Sequence, residues 1–434
     1  MKYYCLGIKG TGMSTLAQIL HDLGNTVSGY DDAKGYKFTE EGLSKRNIKI
    51  YYDNDHDIDK DTIVTYSVAL GEDHKELVRA KNMGLKVKKY NEILGEITEM
   101  FDSICISGTH GKTTTSSLIK HILSKSLGCN YFIGAGDGSA SIENNIFVIE
   151  SDEFNKHFLA YLPTTSIITN IEEEHMECYK DLDDIIETFR AFASKTKKNI
   201  IACGDNKNVR RLNLPNMVYY GFNSDNDYII KNEKITNTGS EFDLYKEDNL
   251  VGHFKVNLYG KHFLLDTSAA IITAIDYGIS VDEINERLAT FKNAKRRFAE
   301  EKVGDIIIID DYAHHPTEIM ATIDGIRTKY QDKRLVVVFK PNTYSRTRDF
   351  KDKFVEVLTK ADKVYLTDID SNREKQEDYP GVTSNMIVDE IPGAEIIDVN
   401  TISKLKEEKD SIICFMSCAY VDDLIKALKK SLES

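Results

Sequence analysis

Short apolar, mostly β-branched runs recur along the chain, and the stretches between them repeat apolar positions with helical spacing. In the N-terminal part this pattern predicts strands at residues 3–8, 26–30, 62–66 and 85–87, and helices at 13–23 and 73–83. Strands that alternate with helices are typical of α/β domains built on a parallel sheet. The N-terminal part is therefore predicted to be a small α/β unit.

The same alternation restarts twice further along the chain. Strands are predicted at 103–107, 145–149, 166–170 and 199–203, and again at 306–309, 335–339, 364–367 and 412–416. Between these groups, residues 217–258 show short alternating runs that favour antiparallel strands, and a helix is predicted at 266–277. The restarts predict three domains, at 1–98, 99–295 and 296–434.

The length and the charge of the chain narrow the possible functions. A chain of 434 residues is too long for one core, and its 41% hydrophobic and 29% charged residues are ordinary for a globular protein. The net charge of −14 argues against nucleic-acid binding, and the sequence contains no apolar run long enough for membrane insertion. Seven scattered cysteines give no disulfide framework, so a cytoplasmic location is expected.

The clearest chemical signal lies between the predicted strand 103–107 and the helix that follows it. The connecting residues are Gly108, Thr109, His110, Gly111, Lys112, Thr113 and Thr114. A strand, a glycine-rich turn and a helix start form a phosphate-binding loop, in which Lys112 meets the β/γ oxygens and the Thr113 hydroxyl can ligate Mg²⁺. Ile106 stands where the usual pattern has its first glycine, so the loop is a shortened variant. An ordinary turn with a chance Gly-Lys-Thr is the alternative.

A second glycine-rich turn follows the first predicted strand. Its glycines are Gly7, Gly10 and Gly12, and the next strand ends at Asp31. Their spacing is GxxGxG rather than the GxGxxG of dinucleotide-binding domains, which weakens the case for a nicotinamide cofactor. A diphosphate at the helix N-terminus is consistent with the pattern.

Acidic residues and a histidine follow two strands of the middle region. Glu150 and Glu153 end one predicted strand, and His175 lies shortly after another. Carboxylate oxygens suit Mg²⁺, and a neutral imidazole can complete the shell of a second ion. The acids just before His175 are equally typical of a solvated helix start.

The third region carries two further candidate segments. The loop 310–317, which reads Asp-Asp-Tyr-Ala-His-His-Pro-Thr, directly follows an all-isoleucine strand. Cations stand at 295–297, at Lys340 and at Arg346, where they can neutralise phosphoryl or carboxylate charge, although a basic run is often only a solvated surface. Together the segments predict an ATP-dependent enzyme that encloses a phosphoryl group.

The motifs as a set resemble those of the Mur ligases of peptidoglycan synthesis, in particular the Gram-positive form of the members that add L-alanine. The segments that carry the resemblance are GIKGTGMSTLA, SGTHGKTTT, the acidic stretch 147–179, AKRRFAE, DDYAHHPTEI and FKPNTYSRT. The resemblance implies three α/β domains: a Rossmann-like UDP-sugar domain, a central P-loop-type ATPase domain with a mostly parallel sheet, and a C-terminal Rossmann-like amino-acid domain.

The resemblance also implies a reaction. The carboxylate of UDP-N-acetylmuramate attacks the γ-phosphate of ATP, and the amine of L-alanine attacks the resulting acyl phosphate, with Mg²⁺ as cofactor. Positioning and charge neutralisation supply most of the catalysis in such a reaction.

Residue roles follow from the resemblance, position by position. Lys112, His175, Arg296, His314 and Arg346 are the implied catalytic residues, and Thr113, Glu150 and His175 the implied metal ligands. ATP is implied to contact the phosphate loop 108–114, His262, Asp310 and Asp311. The other substrates are implied to contact Gly10, Thr11, Gly12, Met13, Ser14, Asp31, Tyr312, His314 and Arg346.

The chain departs from the family pattern at several positions. Glu174 replaces the usual aspartate before the metal histidine, Asn342 replaces a histidine, and residues 417–420 read Ser-Cys-Ala-Tyr instead of Gly-Ala-Gly-Asp. The adenine segment 260–266 lacks both usual asparagines. Two alternatives therefore stay open, namely a sister ligase for another amino acid or peptide and a non-catalytic sensor of UDP-sugar or ATP. The oligomeric state is left open as well.

Overall fold

The computed structural model describes residues 1–67, 70–134, 136–371 and 374–433. The chain divides into two compact units. The first comprises Met1–Glu233, Phe242–Lys255 and Leu264–Phe291, and the second comprises Lys234–Glu241, Val256–Phe263 and Lys292–Ser434. The predicted boundaries near 98 and 295 stay predictions.

The first unit begins with a parallel sheet of strand order β3-β2-β1-β4-β5. The strands are β1 Lys2–Leu6, β2 Thr26–Tyr30, β3 Lys49–Tyr51, β4 Thr62–Tyr66 and β5 Lys86–Lys89. The helices are α1 Thr11–Asp22, α2 Glu40–Lys45, α3 Lys75–Asn82 and α4 Tyr90–Met100. In this sheet β1 is central, so the glycine-rich turn after it lies at the carboxyl edge, where ligands of α/β sheets bind.

The middle sheet is longer, with the order β15-β14-β13-β12-β11-β10-β6-β9-β7-β8. Its strands are β6 Asp102–Ser107, β7 Asn130–Ile133, β8 Asp137–Ser139, β9 Ile146–Glu150, β10 Thr165–Ile168, β11 Ile200–Cys203, β12 Met217–Gly221, β13 Tyr228–Thr236, β14 Gly239–Lys246 and β15 Asn249–Val256. Its helices are α5 Lys112–Ser126, α6 Leu182–Ala193, α7 Lys207–Arg210, α8 Lys261–Asp276 and α9 Val281–Thr290, with a 3₁₀ segment at Phe154–Ala160.

Most pairs in the middle sheet are parallel, and β6 lies between β10 and β9. The carboxyl ends of these three neighbours therefore meet at one edge, which brings the phosphate loop beside the acidic ends of β9 and β10. The expectation of antiparallel strands over 217–258 is wrong for β12, which runs parallel to both β11 and β13. The alternation of apolar and polar residues over 217–258 indicates that one face of the sheet is exposed, but it does not determine whether neighbouring strands run parallel or antiparallel.

The second unit contains a sheet of order β16-β17-β21-β18-β19-β20, parallel except for the β16–β17 pair. The strands are β16 Ala299–Val303, β17 Ile306–Asp311, β18 Arg334–Phe339, β19 Lys363–Leu366, β20 Glu395–Ile396 and β21 Ser411–Met416. The helices are α10 Pro316–Lys329, α11 Tyr344–Asp349, α12 Lys351–Leu358, α13 Asn385–Val388 and α14 Asp422–Leu432, with 3₁₀ segments at Gln376–Asp378 and Ile402–Glu407.

The apolar runs of the second unit are continuous because both faces of its sheet are covered. Ile307 and Ile309 pack in a core on one face, whereas Ile306 and Ile308 pack in a separate core on the other. A strand covered on both sides needs apolar residues at every position. The expected parallel α/β architecture is confirmed. Among the described residues, no helix combines the length and the apolarity that crossing a bilayer requires.

Candidate active site

The phosphate loop lies between β6 and α5, as the sequence predicts. Gly108 has φ +140° and Gly111 has φ +82°, a region in which a residue with a side chain is strained. Space is also limiting, since a Cβ at Gly108 would lie 2.0 Å from Thr169 Oγ1 and one at Gly111 2.4 Å from Asp266 Oδ1. The helix therefore begins close to neighbouring polar groups, and its first-turn N–H groups point toward an incoming anion.

The loop is held by the end of β10. The His110 N–H donates to Asn170 Oδ1 at 2.8 Å, and the Asn170 amide donates back to the His110 carbonyl at 3.0 Å. Thr169 donates to the same carbonyl at 2.5 Å. Sequence reasoning did not assign a role to Thr169 or Asn170, because their partners lie about sixty positions earlier and no local pattern links them.

Lys112 is held by a buried carboxylate. Its Nζ lies 2.9 Å from Glu153 and also donates to the Gly108 and Thr109 carbonyls, at 2.5 and 3.2 Å. Burial lowers the pKa of Lys112, but Glu153 and its acidic neighbours outweigh that effect and raise it overall. The ammonium therefore stays charged next to the position that phosphates take in such loops.

The hydroxyl of Thr113 points to the end of β9. Its Oγ1 lies 3.0 and 3.1 Å from the two carboxylate oxygens of Glu150, one of which also accepts the Gly134 N–H at 2.9 Å. The structure thus brings together two of the three predicted metal ligands.

His175 lies with a different pair of acids. Asp152, Glu153 and His175 each offer a ligand atom, and these atoms lie within 4.8 Å of one another. Glu153 is buried, with 3% of its surface exposed, and burial raises its pKa against the opposing effect of Lys112. Burial lowers the pKa of His175, but the surrounding carboxylates raise it overall. Two carboxylates and an imidazole fit a divalent cation by donor type. Asp152 belongs to this group, although the sequence reasoning singled out only its neighbours.

The N-terminal glycine-rich turn is formed by Gly7–Gly10 and leads into α1. The Thr11, Gly12 and Met13 N–H groups occupy the first helical turn, where helices lack intrahelical acceptors. The Met13 side chain packs in the core, and the Ser14 hydroxyl donates to the Thr11 carbonyl at 2.9 Å. Main-chain N–H groups are therefore what this turn offers to a diphosphate.

Asp31 shapes the same turn. One of its carboxylate oxygens accepts the Lys9 N–H at 2.9 Å and the other accepts the Ala33 N–H at 3.0 Å. The predicted role of Asp31 beside the uridine stays a prediction, and in the structure its carboxylate braces the loop.

Asp310 and Asp311 differ in their environment within the second unit. Asp311 is buried and accepts the Phe298 and Ala313 N–H groups at 2.7 and 2.9 Å, so its carboxylate organises the loop. Asp310 lies 3.3 Å from Arg296, which also donates to two main-chain carbonyls near the end of β21. Burial raises the pKa of both aspartates.

Tyr312 and His314 lie together at the start of α10. Their rings meet edge to face at 5.5 Å, and the guanidinium of Arg297 lies 4.6 Å from the Tyr312 ring. His314 Nδ1 lies 3.0 Å from both the Tyr312 carbonyl and Glu318. The hydroxyl keeps its proton, because burial raises the pKa of Tyr312 to about 12.

Arg346 and His262 are the remaining predicted residues. Arg346 lies in α11 and donates to the Asn342 carbonyl at 3.1 Å, and Glu374 binds the N–H groups at the start of that helix. His262 falls in the second unit, where burial lowers its pKa to about 4 and makes it a neutral imidazole.

Comparisons with known proteins extend over the whole chain. Three Mur ligase family models match it: the catalytic domain at 2–102, the middle domain at 106–274 and the glutamate ligase domain at 296–417. The UDP-N-acetylmuramate–L-alanine ligase of Ligilactobacillus salivarius is 42% identical over 416 residues, 95% of this chain and 93% of that protein. The ligase of the same name from Lactiplantibacillus plantarum is 40% identical over 434 residues, 99% of each chain.

A solved structure shows the same fold. The crystal structure of a UDP-N-acetylmuramate–alanine ligase from Thermotoga maritima superposes with a TM-score of 0.81 at 22% identity, covering 100% of this chain and 98% of that one. The predicted family and fold class are both confirmed, and this chain belongs to the Mur ligase family.

Proposed function

We propose that this chain is an ATP-dependent ligase that joins L-alanine to the carboxylate of UDP-N-acetylmuramate in peptidoglycan precursor synthesis. The observation that carries the proposal is the start of α5, where Lys112 meets the carboxylate of Glu153, just after β9, and Thr113 meets that of Glu150, at the end of β9. The full-length identity of about 40% to ligases of that name supports the substrates.

The residues of the phosphate loop perform the first half of the reaction. The N–H groups of the α5 first turn and the Lys112 ammonium bind the ATP phosphates and offset the charge that grows as the γ-phosphoryl moves to the sugar-acid carboxylate. Glu153 keeps Lys112 charged and in position before ATP arrives. Thr169 and Asn170 hold the loop still, so the phosphates do not have to organise it.

Mg²⁺ completes this site in the proposal. Glu150 with Thr113 forms one donor group, and Asp152, Glu153 and His175 form the other. The ion would neutralise phosphate charge and fix the orientation of the oxygens. Both donor groups are rich in oxygen, which matches the preference of Mg²⁺.

The second half of the reaction is assigned to the second unit. Arg296 would meet phosphoryl charge, while Tyr312, His314 and Arg346 would orient L-alanine and the reacting carboxylate. Support comes from the structure within that unit, where Arg296 is fixed by three oxygen acceptors and His314 by two. Fixed side chains of this kind position substrates at little entropic cost.

The test is phosphate release from ATP in the presence of UDP-N-acetylmuramate and a panel of amino acids. We expect release that depends on both UDP-N-acetylmuramate and L-alanine. Release with a different amino acid or a peptide would identify a sister ligase, and nucleotide binding without any release would identify a sensor; either outcome contradicts the proposal.

The metal assignment has its own test. Glu153→Gln removes a charge from the acidic group, and we expect the Mg²⁺ concentration for half-maximal activity to rise by about 10- to 100-fold. Glu173→Gln, at an exposed position outside both donor groups, is the matched control. An unchanged Mg²⁺ requirement in Glu153→Gln would remove that residue from the metal set.

A further inference from the structure

His157 is a buried histidine of the 3₁₀ segment Phe154–Ala160. It is 5% exposed, and among the described residues neither Nδ1 nor Nε2 meets a hydrogen-bond donor or acceptor. An unsatisfied buried polar group destabilises the folded state, so folded proteins rarely keep one without a use. Two such atoms on one ring indicate that a partner is supplied from outside the chain.

The backbone that carries His157 is strained. Asn155 and Lys156, directly before it in the 3₁₀ segment, have φ of 51° and 59°. Two consecutive residues with side chains in the left-handed region cost free energy, and such strain collects where a side chain must be aimed. Here Lys156 is fixed by an ion pair to Asp184 at 2.8 Å, and the turn directs His157 inward.

His157 lies between the two glycine-rich turns of the first unit. On one side, the Tyr90 ring meets the imidazole edge to face at 5.3 Å, and Tyr90 also borders Gly12 of the N-terminal turn, where a Cβ would lie 3.4 Å from its ring. On the other side, the partly exposed Phe154 ring separates it from His175, with centroid distances of 6.3 and 5.0 Å. A ligand that runs from the N-terminal turn to the phosphate loop passes this position.

The surroundings select the chemistry of that ligand. The ring is flanked by aromatic residues, and burial lowers the pKa of His157, so the imidazole is neutral. A neutral imidazole offers one donor and one acceptor, which match a hydroxyl or an amide better than a phosphate or a carboxylate. In a UDP-sugar acid, the groups of that type between the diphosphate and the reacting carboxylate belong to the hexose.

We propose that His157 is a substrate-binding residue that hydrogen-bonds an uncharged hydroxyl or amide group of the hexose of the UDP-sugar acid. The inference rests on the proposed function for the identity of that substrate. The hexose reaches the ring nitrogens when the Phe154 side chain turns aside, and His157 then holds the sugar so that its carboxylate faces the phosphate loop.

The experiment compares the affinities of UDP-N-acetylmuramate and of UDP alone by calorimetry, without ATP. His157→Phe keeps the aromatic packing and removes both polar atoms. We expect UDP-N-acetylmuramate to bind about tenfold more weakly, the affinity for UDP to stay within twofold, and the variant to unfold at the wild-type temperature or above it. His157→Asn, which retains a donor and an acceptor, is expected to lose less affinity.

A matched control is His56→Phe. His56 is a partly buried imidazole of the first unit, but its Nε2 lies 2.8 Å from the Tyr4 hydroxyl and its ring stacks on Tyr51 at 3.7 Å. We expect this variant to lose stability and to keep both affinities.

Three results would overturn the inference. Unchanged UDP-N-acetylmuramate affinity in His157→Phe would show that a water molecule or nothing meets the ring. An equal loss of UDP affinity would assign the imidazole to the diphosphate. If His157→Phe does not fold, wild-type affinity for UDP-N-acetylmuramate in His157→Leu, which also lacks both polar atoms, would have the same consequence. Failure of the wild-type protein to bind or turn over UDP-N-acetylmuramate would instead contradict the proposed function.

Discussion

The first unit contains the same backbone device twice, with different side chains around it. In both cases a parallel strand ends in a glycine-rich turn and a helix begins: β1 leads into α1, and β6 leads into α5. Both helix starts offer main-chain N–H groups to an anion. The turn after β1 spans Gly7–Gly10, and the turn after β6 spans Gly108–Gly111.

The two turns differ in where their lysine and hydroxyl groups point. Lys112 meets the carboxylate of Glu153, which lies three residues after β9, and Thr113 meets that of Glu150, the last residue of β9. In the N-terminal turn, the buried Lys9 donates to the Ala33 and Gly35 carbonyls at 2.7 and 2.5 Å and pairs with Glu40 at 2.8 Å.

These different contacts indicate that one turn only binds phosphate, whereas the other also takes part in the reaction. A helix N-terminus binds phosphate with its main chain alone, but transferring a phosphoryl group also needs a positive charge beside that group and oxygen ligands for a cation. In the N-terminal turn, the Lys9 ammonium is bound by oxygens of the loop that follows β2 and by Glu40, so it is not available to a phosphate. This turn can therefore hold a diphosphate that stays intact. The turn after β6 keeps its lysine and hydroxyl beside the acids, so it suits the phosphate that is transferred.

Replacing the lysine of each turn by methionine gives the largest expected effects on turnover and on ligand binding. Lys112→Met removes the charge at the transferred phosphate, and we expect turnover to fall by at least about 10³-fold while the affinity for UDP-N-acetylmuramate stays within threefold. Lys9→Met is the matched variant, and it should weaken UDP-N-acetylmuramate binding while leaving the KM for ATP unchanged. Steady-state kinetics measure turnover and the KM for ATP, and calorimetry measures the affinity for UDP-N-acetylmuramate.

Lys112→Met also leaves Glu153 buried without its cation, which raises the pKa of that carboxyl further. Thermal unfolding of each variant therefore serves as the control for a global loss of structure. A comparable loss of UDP-N-acetylmuramate affinity in Lys112→Met would mean that the two turns do not bind separate ligands.

The hydroxyl groups give a second, smaller contrast. Thr113 Oγ1 faces Glu150, whereas the Ser14 hydroxyl is used within its own helix. We expect Thr113→Ala to raise the Mg²⁺ concentration for half-maximal activity by about 10- to 100-fold. Ser14→Ala should change neither Mg²⁺ dependence nor UDP-N-acetylmuramate affinity by more than twofold. A strong effect of Ser14→Ala would show that the N-terminal turn also uses a hydroxyl.

Sequence reasoning located both turns because strand, glycine and helix signals lie next to one another in the chain. The predicted strand 103–107 and the observed β6 Asp102–Ser107 differ by one residue. The family resemblance named Thr113 and Glu150 as metal ligands, and in the structure the two side chains meet because the parallel neighbours β6 and β9 end at one sheet edge. Their role in metal binding stays a prediction. The family resemblance supplied the roles in the second unit, which periodicity alone could not give.

Other parts of the site could not be predicted from local patterns. The clamp between Asn170 and His110 joins residues sixty positions apart, and nothing near either one signals it. The burial of His157 and the strain at Asn155 depend on how α4 packs against the 3₁₀ segment. Side-chain destinations of this kind are set by tertiary packing, which composition and spacing do not encode.

Substitution of a glycine at the start of each helix gives the smallest expected effect, a change in stability and in ATP affinity. Gly111 has φ +82°, and a Cβ there would lie 2.4 Å from Asp266 Oδ1, whereas a Cβ at Gly12 would lie 3.4 Å from the Tyr90 ring, an ordinary contact. We expect Gly111→Ala to lower the free energy of unfolding by about 1–2 kcal/mol from backbone strain and to weaken ATP binding, because Asp266 must move. Gly12→Ala gains helix propensity worth up to about 1 kcal/mol, which offsets the tighter packing, so its stability should stay near that of the wild type. Thermal unfolding and ATP affinity measured on the two variants separate the cases. Equal destabilisation would mean that the start of α1 tolerates a side chain no better than the start of α5, and the division between a binding turn and a reacting turn would then rest on the polar side chains alone.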